Sequence, residues 1–242
     1  MFRSLVDSTL ARAAARLRSV PSQCVVCAAW PARIFCDDCV QRFAQPVARC
    51  ATCALAVVPG TERCGACRVA APPLDRCLAA VTYGYPWADC ITDLKFHGRT
   101  GLARALALLL RSTPWVEPAL DAARWVLPMP LSRERLHERG FNQAALLARH
   151  LAGAAKVDTG LLLRTRHTPA QSGLDRAARL AGVRGAFAVD PLLRHRLAGH
   201  AVVLVDDVMT SGASLFAAAE ALRRAGAAHV TAVVVARTEF GD

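Results

Sequence analysis

Two adjacent carboxylates, Asp206 and Asp207, stand between an apolar run, Ala201 to Val205, and the stretch Thr210-Ser211-Gly212-Ala213-Ser214. The run is apolar throughout and β-branched at Val202, Val203 and Val205, the pattern of a strand buried on both faces of a parallel sheet. The acids therefore fall at its C-terminal end. From Ala213 to Ala225 the pattern turns helical: Leu215, Ala218, Ala219 and Leu222 share a face, Arg223 and Arg224 occupy the last turn, and Gly226 stops it. A second strand is expected at His229 to Ala236. In such a strand-loop-helix-strand unit, ligands bind in the crevice beyond the strand C-termini. The backbone N–H groups and hydroxyls of Thr210, Ser211 and Gly212 can wrap a phosphate at the positive end of the helix dipole, with Gly212 allowing close approach. Carboxylates repel phosphate but accept hydrogen bonds from a pair of ribose hydroxyls. The combination asks for a phosphorylated ribose.

The segment Asp206-Asp207-Val208-Met209-Thr210-Ser211-Gly212-Ala213-Ser214, after four apolar residues, resembles the phosphoribosyl pyrophosphate (PRPP) signature of type I phosphoribosyltransferases. The resemblance implies that these nine residues bind PRPP or another ribose 5-phosphate, with Mg²⁺ at the pyrophosphate. Asp206 and Asp207 would then act catalytically, stabilising positive charge that develops on the ribose as pyrophosphate departs. Neither a G-x-G-x-x-G after a strand nor a G-x-x-x-x-G-K-[ST] is present, which removes the common dinucleotide and nucleotide folds.

The chain has ten cysteines, and eight of them form four C-x-x-C knuckles: Cys24 and Cys27, Cys36 and Cys39, Cys50 and Cys53, Cys64 and Cys67. A C-x-x-C turn presents two thiolates on one side of a tight loop, and Zn²⁺ takes four thiolates in a closed structural site, so four knuckles make two structural zinc sites. The separations suit two consecutive sites; a cross-braced pairing of the first knuckle with the third stays open. Cys77 and Cys90 lie outside the pattern and are expected as buried thiols.

Farther along, Arg124 to Met129 reads as a strand, followed by Arg133, Arg135 and Arg139 close together. Guanidinium forks match phosphate oxygens, so Arg135 and Arg139 are candidates for the pyrophosphate end of the ligand, against the alternative of a solvated helix face paired to Glu134 and Glu138. Lys95 could reach a phosphate as a point charge, or serve as a helix C-terminal dipole partner before Gly98. His97 and His137 read as surface or supporting groups. The stretch Arg139-Gly140-Phe141-Asn142-Gln143-Ala144, with Pro128-Met129-Pro130 upstream, resembles the R-G-F-N-Q-A motif of the ComF family of competence-associated proteins. Similar marks are Leu94-Lys95-Phe96-His97-Gly98 and Thr168 to Leu174 leading to Arg179 and Gly185-Ala186-Phe187; Gly182 departs from the family's asparagine. That family joins an N-terminal zinc module to a phosphoribosyltransferase-like domain, and the resemblance implies a setting in DNA uptake, with single-stranded DNA and the uptake machinery as partners.

At 242 residues and 54% hydrophobic, the chain can bury one α/β core and carry a small module. No apolar run approaches the roughly twenty residues of a membrane span. The formal charge of +11 falls to about +7 once eight thiolates and two Zn²⁺ are counted, still favouring polyanions or phosphorylated substrates. Aromatic residues make up 6%; Tyr83, Tyr85, Trp87 and Trp115 could stack on bases but each reads first as core. Residues 1–20 read as a leading amphipathic helix, 21–75 as a double zinc module and 76–242 as the transferase-like domain, with the cytoplasm as the default compartment. The expected fold is α/β with a mostly parallel sheet, its strands at Leu78 to Tyr83, Trp125 to Met129, Leu161 to Arg164, Ala201 to Val205 and His229 to Ala236. The helices are expected at Leu102 to Leu110, Asn142 to Leu151 and Ala213 to Ala225. Two functions are open: a phosphoribosyltransferase with an unidentified acceptor, or a non-catalytic single-stranded-DNA-binding factor that senses a ribose phosphate.

Overall fold

A computed structural model describes residues 22–166, 182–183 and 185–239. The expected leading helix at 1–20 and the stretch 168–179 lie outside the described residues. The chain divides into two compact units at Ala44/Gln45. In the first, Ser22 bridges Ala32 and helix α1 (Asp37–Phe43) starts at Cys36, whose sulfur accepts from Cys39 N. In the second, the short helix α2 (Gly65–Val69) carries the last knuckle, and the transferase-like fold follows.

The main sheet has four parallel strands in the order β1 (Arg76–Thr82), β6 (His229–Arg237), β5 (Ala201–Met209) and β2 (Trp125–Pro128). β6 and β5 are its centre, and their runs of Val and Ala are buried on both faces, as a parallel sheet covered twice requires. Val202, Leu204, Val230, Ala232 and Val234 point to one face and share a core with helix α8 (Ala213–Arg224) through Leu215, Ala218, Ala219 and Leu222. Side chains alternate along a strand, so Val203, Val205, Val233 and Val235, equally buried, point to the other face. There helices α4 (Leu102–Arg111) and α7 (Gln143–Ala152) pack on each other and on the strands. Helices α3 (Trp87–Phe96), α5 (Val116–Ala122) and α6 (Arg133–Arg139) fill the connections. Among the described residues no helix is long and apolar enough to cross a membrane.

Three local expectations change. The expected strand ending at Val205 continues through both acids to Met209, because β6 extends equally far and pairs with it up to Arg237. The segment at Leu161 to Arg164 does not join the main sheet: β3 (Leu162–Arg164) pairs antiparallel with β4 (Phe187–Val189) as a separate two-stranded ribbon. Its Leu162 is buried and Leu163 exposed, an alternation that suits a one-sided ribbon and not a strand covered on both faces. Tyr83, Tyr85 and Trp115 are not core but 38%, 67% and 63% exposed, whereas Trp87 is buried at 1%. The exposed three sit past strand and helix ends, and Trp115 adopts a left-handed backbone under the guanidinium of Arg76.

Candidate functional site

The C-terminal edge of the sheet opens into a cavity of about 330 Å³. Residues from five strand ends reach it: Tyr83 after β1, Met129 to Leu131 after β2, Arg164 on β3, Asp206 to Val208 on β5 with Thr210 just past its end, and Thr238 after β6. This is the crevice where open α/β sheets hold ligands. A larger, more open depression of about 660 Å³ lies at the opposite end of the strands, against Arg124, Trp125 and Ala201, far from the acid pair.

Asp206 and Asp207 are successive strand residues and so leave opposite faces of β5. Asp207 N donates to Asp206 Oδ1 at 2.9 Å and Val208 N to Asp207 Oδ1 at 2.9 Å, which locks both carboxylates against the backbone. Asp207 is buried, and its Oδ2 lies 2.8 Å from Lys95 Nζ. That contact is an ion pair rather than an aligned hydrogen bond, and Oδ2 otherwise has no donor. Burial, then the neighbouring Asp207 charge, pushes the Asp206 carboxyl up to about 8, against the opposing pull of Lys95.

The turn that follows is shaped by Gly212, which has φ +81° and caps α8. A Cβ there would lie 2.5 Å from Met209 Cε and 2.6 Å from Phe216 Cζ, so any side chain would have to displace both. Ala213 N donates to Ser211 Oγ at 3.4 Å, and Phe216 N to Gly212 O at 2.8 Å. The turn sets the N–H groups at the start of a 12-residue helix beside the cavity.

The basic wall comes from α6, a helix where three nearby arginines could have shared a loop. Ser132 caps it, accepting from Arg135 N at 3.4 Å, and Gly140 at φ +77° ends it. Asn142 then starts α7, accepting from Ala144 N at 2.9 Å and Ala145 N at 3.3 Å, while its Nδ2 donates to Met129 O at 3.0 Å. Asn142 thus ties the helix start to the end of β2. Arg139 Nη1 donates to Gln143 Oε1 at 2.5 Å, and its guanidinium sits 5.1 Å from the Phe96 ring. Burial lowers its pKa, opposed by Asp207.

Lys95, Arg135, Arg139, Asp206, Asp207, Val208, Thr210 and Ser214 all line the cavity. Met209, Ser211, Gly212 and Ala213 do not; they are tucked beneath the turn, where Met209 is 1% exposed. Lys95 reaches into the cavity, yet its nearest charge is a carboxylate. His97 is exposed and bonds Asp93 Oδ1 at 2.9 Å. The sequence pattern did not point to Arg164, whose signal was its place at the end of an expected strand, nor to Gln143 and Thr238, and Tyr83, read first as core, lines the cavity as well. Burial lowers the pKa of Arg164, with Arg135 acting in the same direction.

The eight knuckle cysteines form two consecutive clusters, Cys24, Cys27, Cys36, Cys39 and Cys50, Cys53, Cys64, Cys67, with sulfurs in each cluster within 4.8 Å of one another. All are free thiols. Zn–S bonds of about 2.3 Å in a tetrahedron place sulfurs about 3.8 Å apart. The Cys27–Cys36 and Cys53–Cys64 separations of 3.6 Å match that edge, so each cluster fits a structural zinc ion. Burial raises the Cys24 thiol, but N–H groups of Cys27, Cys36 and Val26 outweigh it and bring it to about 6. Cys50 reaches about 7 in the same way, burial being overcome by the N–H groups of Cys64, Thr52 and Cys53. Each cluster thus holds one thiol already inclined to the thiolate that zinc requires. Outside the clusters, Cys77 is buried and pushed up to about 12, and Cys90 is buried too.

The parallel sheet, the acid pair at the end of β5 and the glycine turn into α8 define a phosphoribosyltransferase-type domain, and residues 137–239 match the family described as phosphoribosyl transferase domain. The chain is 32% identical over 214 residues to DNA utilization protein YhgH of Salmonella typhimurium, covering 84% of this chain and 90% of that protein. It is 28% identical over 209 residues to competence protein F of Haemophilus influenzae, with the same coverage, and 30% identical over 158 residues to competence protein ComFC of Bacillus subtilis, covering 65% and 62%. The chain belongs to the ComF family.

Proposed function

We propose that the cavity binds PRPP and that the chain is a phosphoribosyltransferase serving DNA utilisation. The observation that carries this reading is the meeting, in one cavity, of the acid pair, the N-terminal turn of α8 and the guanidinium groups of Arg135, Arg139 and Arg164. The 5-phosphate would sit on the Thr210 to Ser214 turn, the ribose hydroxyls would donate to Asp206 and Asp207, and the pyrophosphate would face Arg135 and Arg139. Mg²⁺, entering with the pyrophosphate, would neutralise part of the leaving group's charge.

In the transfer step the bond between ribose C1 and the pyrophosphate oxygen breaks, and its electron pair leaves with pyrophosphate. The acceptor's lone pair forms the new bond to C1, and the proton the acceptor loses passes to water. Positive charge peaks on the ribose between these events. Asp206 and Asp207, fixed by their own backbone, are preorganised to meet it, and the arginines meet the departing charge. Calorimetric titration of the zinc-loaded protein with PRPP and Mg²⁺ tests the reading. Binding that disappears in Asp206→Asn and Asp207→Asn is expected, together with pyrophosphate release once an acceptor is supplied. Absence of binding at millimolar PRPP would refute it.

A second reading, a DNA-binding factor that only senses the ribose phosphate, draws on the relatives' names and on the net charge of +11. It requires PRPP binding without pyrophosphate release, and single-stranded-DNA affinity that falls steeply with salt. Salt-independent DNA binding would count against it.

A further inference from the structure

Arg237, the last residue of β6, is 1% exposed, a rare location for a guanidinium. Its Nε donates to Cys53 O at 2.8 Å, inside the second cysteine cluster. Its Nη1 donates to Met209 O at 3.1 Å and Thr210 O at 2.6 Å, the carbonyls that open the glycine turn, and to Thr238 O at 2.5 Å beside the cavity. One buried side chain therefore joins the metal knuckle to the phosphate turn. Four further contacts follow the same line. Cys77 N donates to Ala51 O at 2.8 Å, and Cys77 Sγ lies 3.4 Å from Met209 Sδ. Arg49 donates to Ala54 O and to Thr82 Oγ1, each at 3.0 Å, reaching from the knuckle to the end of β1 next to Tyr83. The four sulfurs of this cluster also belong to the same apolar core as Met209, Ala213 and Phe216.

We infer that the second cysteine cluster, acting through the positioning residue Arg237, sets the conformation of the Met209 to Ala213 turn, so that metal at Cys50, Cys53, Cys64 and Cys67 governs ribose-phosphate binding. The physical reason is the geometry of the fork. Arg237 holds Met209 O and Thr210 O through Nη1 and Cys53 O through Nε, so the turn and the knuckle share one rigid guanidinium, and Cys53 O is placed by a loop of a few residues closed at both ends by metal ligands. Loss of the metal frees that loop, the fork loses its contact with the knuckle, and the turn loses part of the constraint that aims its N–H groups into the cavity. The inference rests on the PRPP reading for the identity of the ligand, but the coupling itself does not need one.

The test uses the full-length, zinc-loaded chain. Hydrogen exchange of the Met209 to Ala213 amides reports the turn, calorimetry with PRPP and Mg²⁺ reports the site, and metal analysis counts zinc, all at a temperature where circular dichroism shows the fold intact. Arg237→Met keeps every zinc ligand; it should retain two zinc ions per chain while exchange in the turn speeds up and PRPP binding weakens, each about tenfold or more, as expected for a lost buried charged hydrogen-bond donor. Arg237→Lys, which keeps the charge without the fork, should fall between. Cys64→Ser with Cys67→Ser should lose one zinc and reproduce the Arg237→Met exchange pattern, whereas Cys24→Ser with Cys27→Ser should lose one zinc and leave the turn unchanged. If the Cys64/Cys67 variant does not fold, the two Arg237 variants decide. Wild-type exchange and affinity in Arg237→Met, or in the Cys64/Cys67 variant after its zinc has gone, overturns the inference. If the wild-type chain binds no PRPP, the ligand reading fails alone, and exchange in the turn still decides the coupling.

Discussion

Gly212→Ala isolates what the phosphate turn demands of its backbone and its packing. Position 212 has φ +81°, where an L side chain costs about 1–2 kcal/mol. The added Cβ would stand 2.5 Å from Met209 Cε, 2.6 Å from Phe216 Cζ and 2.8 Å from Phe216 Cε2. The methionine tip can swing away, but the phenylalanine ring is 7% exposed and must shift within a packed core, an overpacking cost of about 1–3 kcal/mol. The total is about 3 kcal/mol, or a fall in the thermal midpoint of roughly 6–12 °C for a chain of this size. Gly140→Ala is the matched control, since φ is +77° there and nothing lies within 4 Å of where the methyl carbon would stand. It carries the conformational cost alone, about 1–2 kcal/mol and roughly 2–8 °C. The assay is thermal denaturation of both variants beside the wild type, followed by PRPP titration. Adding Phe216→Leu to Gly212→Ala should return part of the loss as a favourable coupling of about 1 kcal/mol. Equal losses for the two glycines, or no coupling to position 216, would show that the steric account of the turn is wrong.

Protonation of the acid pair gives the next prediction. The Asp206 carboxyl is raised to about 8 in the free protein against about 4 when unfolded, so between those pH values the folded chain holds a proton that the unfolded chain lacks. Its contribution therefore favours folding at low pH and is lost as pH rises through 8; PRPP binding, which uses the ionised pair, should strengthen about tenfold per pH unit below 8 and level off above it in calorimetric titrations. A pH-flat affinity from about 6 to 8 would contradict that. Lys95→Met removes the cation 2.8 Å from Asp207 and should shift the same profile to higher pH, whereas a lysine that served only as a phosphate contact would weaken binding equally at every pH. Metal analysis of the purified chain should find two zinc ions, with eight thiols titrating only after a chelator is added; ready reaction of those thiols beforehand would argue against closed sites.

The strand, the acid pair and the glycine turn were legible because each of their requirements is local. A β-branched run, two acids, and a glycine at the start of an apolar helical stripe specify strand, edge and turn within one short stretch of chain. The cysteine clusters were legible for the same reason: each knuckle closes within a single turn of chain, and the separation between knuckles is short. The R-G-F-N-Q-A stretch shows how far a local reading carries. Its composition pointed to arginine forks, but the structure shows that Gly140 and Asn142 are a helix stop and a helix cap that place Arg139, with Asn142 Nδ2 holding Met129 O at 3.0 Å. What escaped was whatever depends on partners distant in sequence. Arg164 enters the cavity only because β3 leaves the main sheet to pair with β4, and an antiparallel pairing with so distant a segment leaves no mark in the run Leu161 to Arg164 itself. Arg237 looked like an ordinary charged residue closing a strand; its burial is decided by the Cys53 carbonyl, 184 residues away.

The same distinction bears on the acceptor. Under the PRPP reading the ribose and its 5-phosphate would meet one contiguous segment and the pyrophosphate Arg135 and Arg139, whereas part of the remaining wall is assembled from Tyr83, Arg164 and Thr238, side chains contributed by three different strand ends. Tyr83 is 38% exposed at the mouth and offers a planar face with a hydroxyl, while Arg164, lying 5.4 Å from the Phe187 ring, offers a cation already stacked on an aromatic. A planar, electron-rich acceptor suits that wall better than an aliphatic amine, because stacking and cation–π contact both require a π face. Tyr83→Ala should therefore leave PRPP affinity within about twofold of wild type, the donor contacts being elsewhere, and should weaken any base-like acceptor by about tenfold, the loss expected when one stacking face goes. The comparison is made by titrating PRPP alone and then nucleobases into the PRPP complex. A loss of PRPP affinity equal to the loss of acceptor affinity would place Tyr83 with the donor and leave the wall without a stacking role.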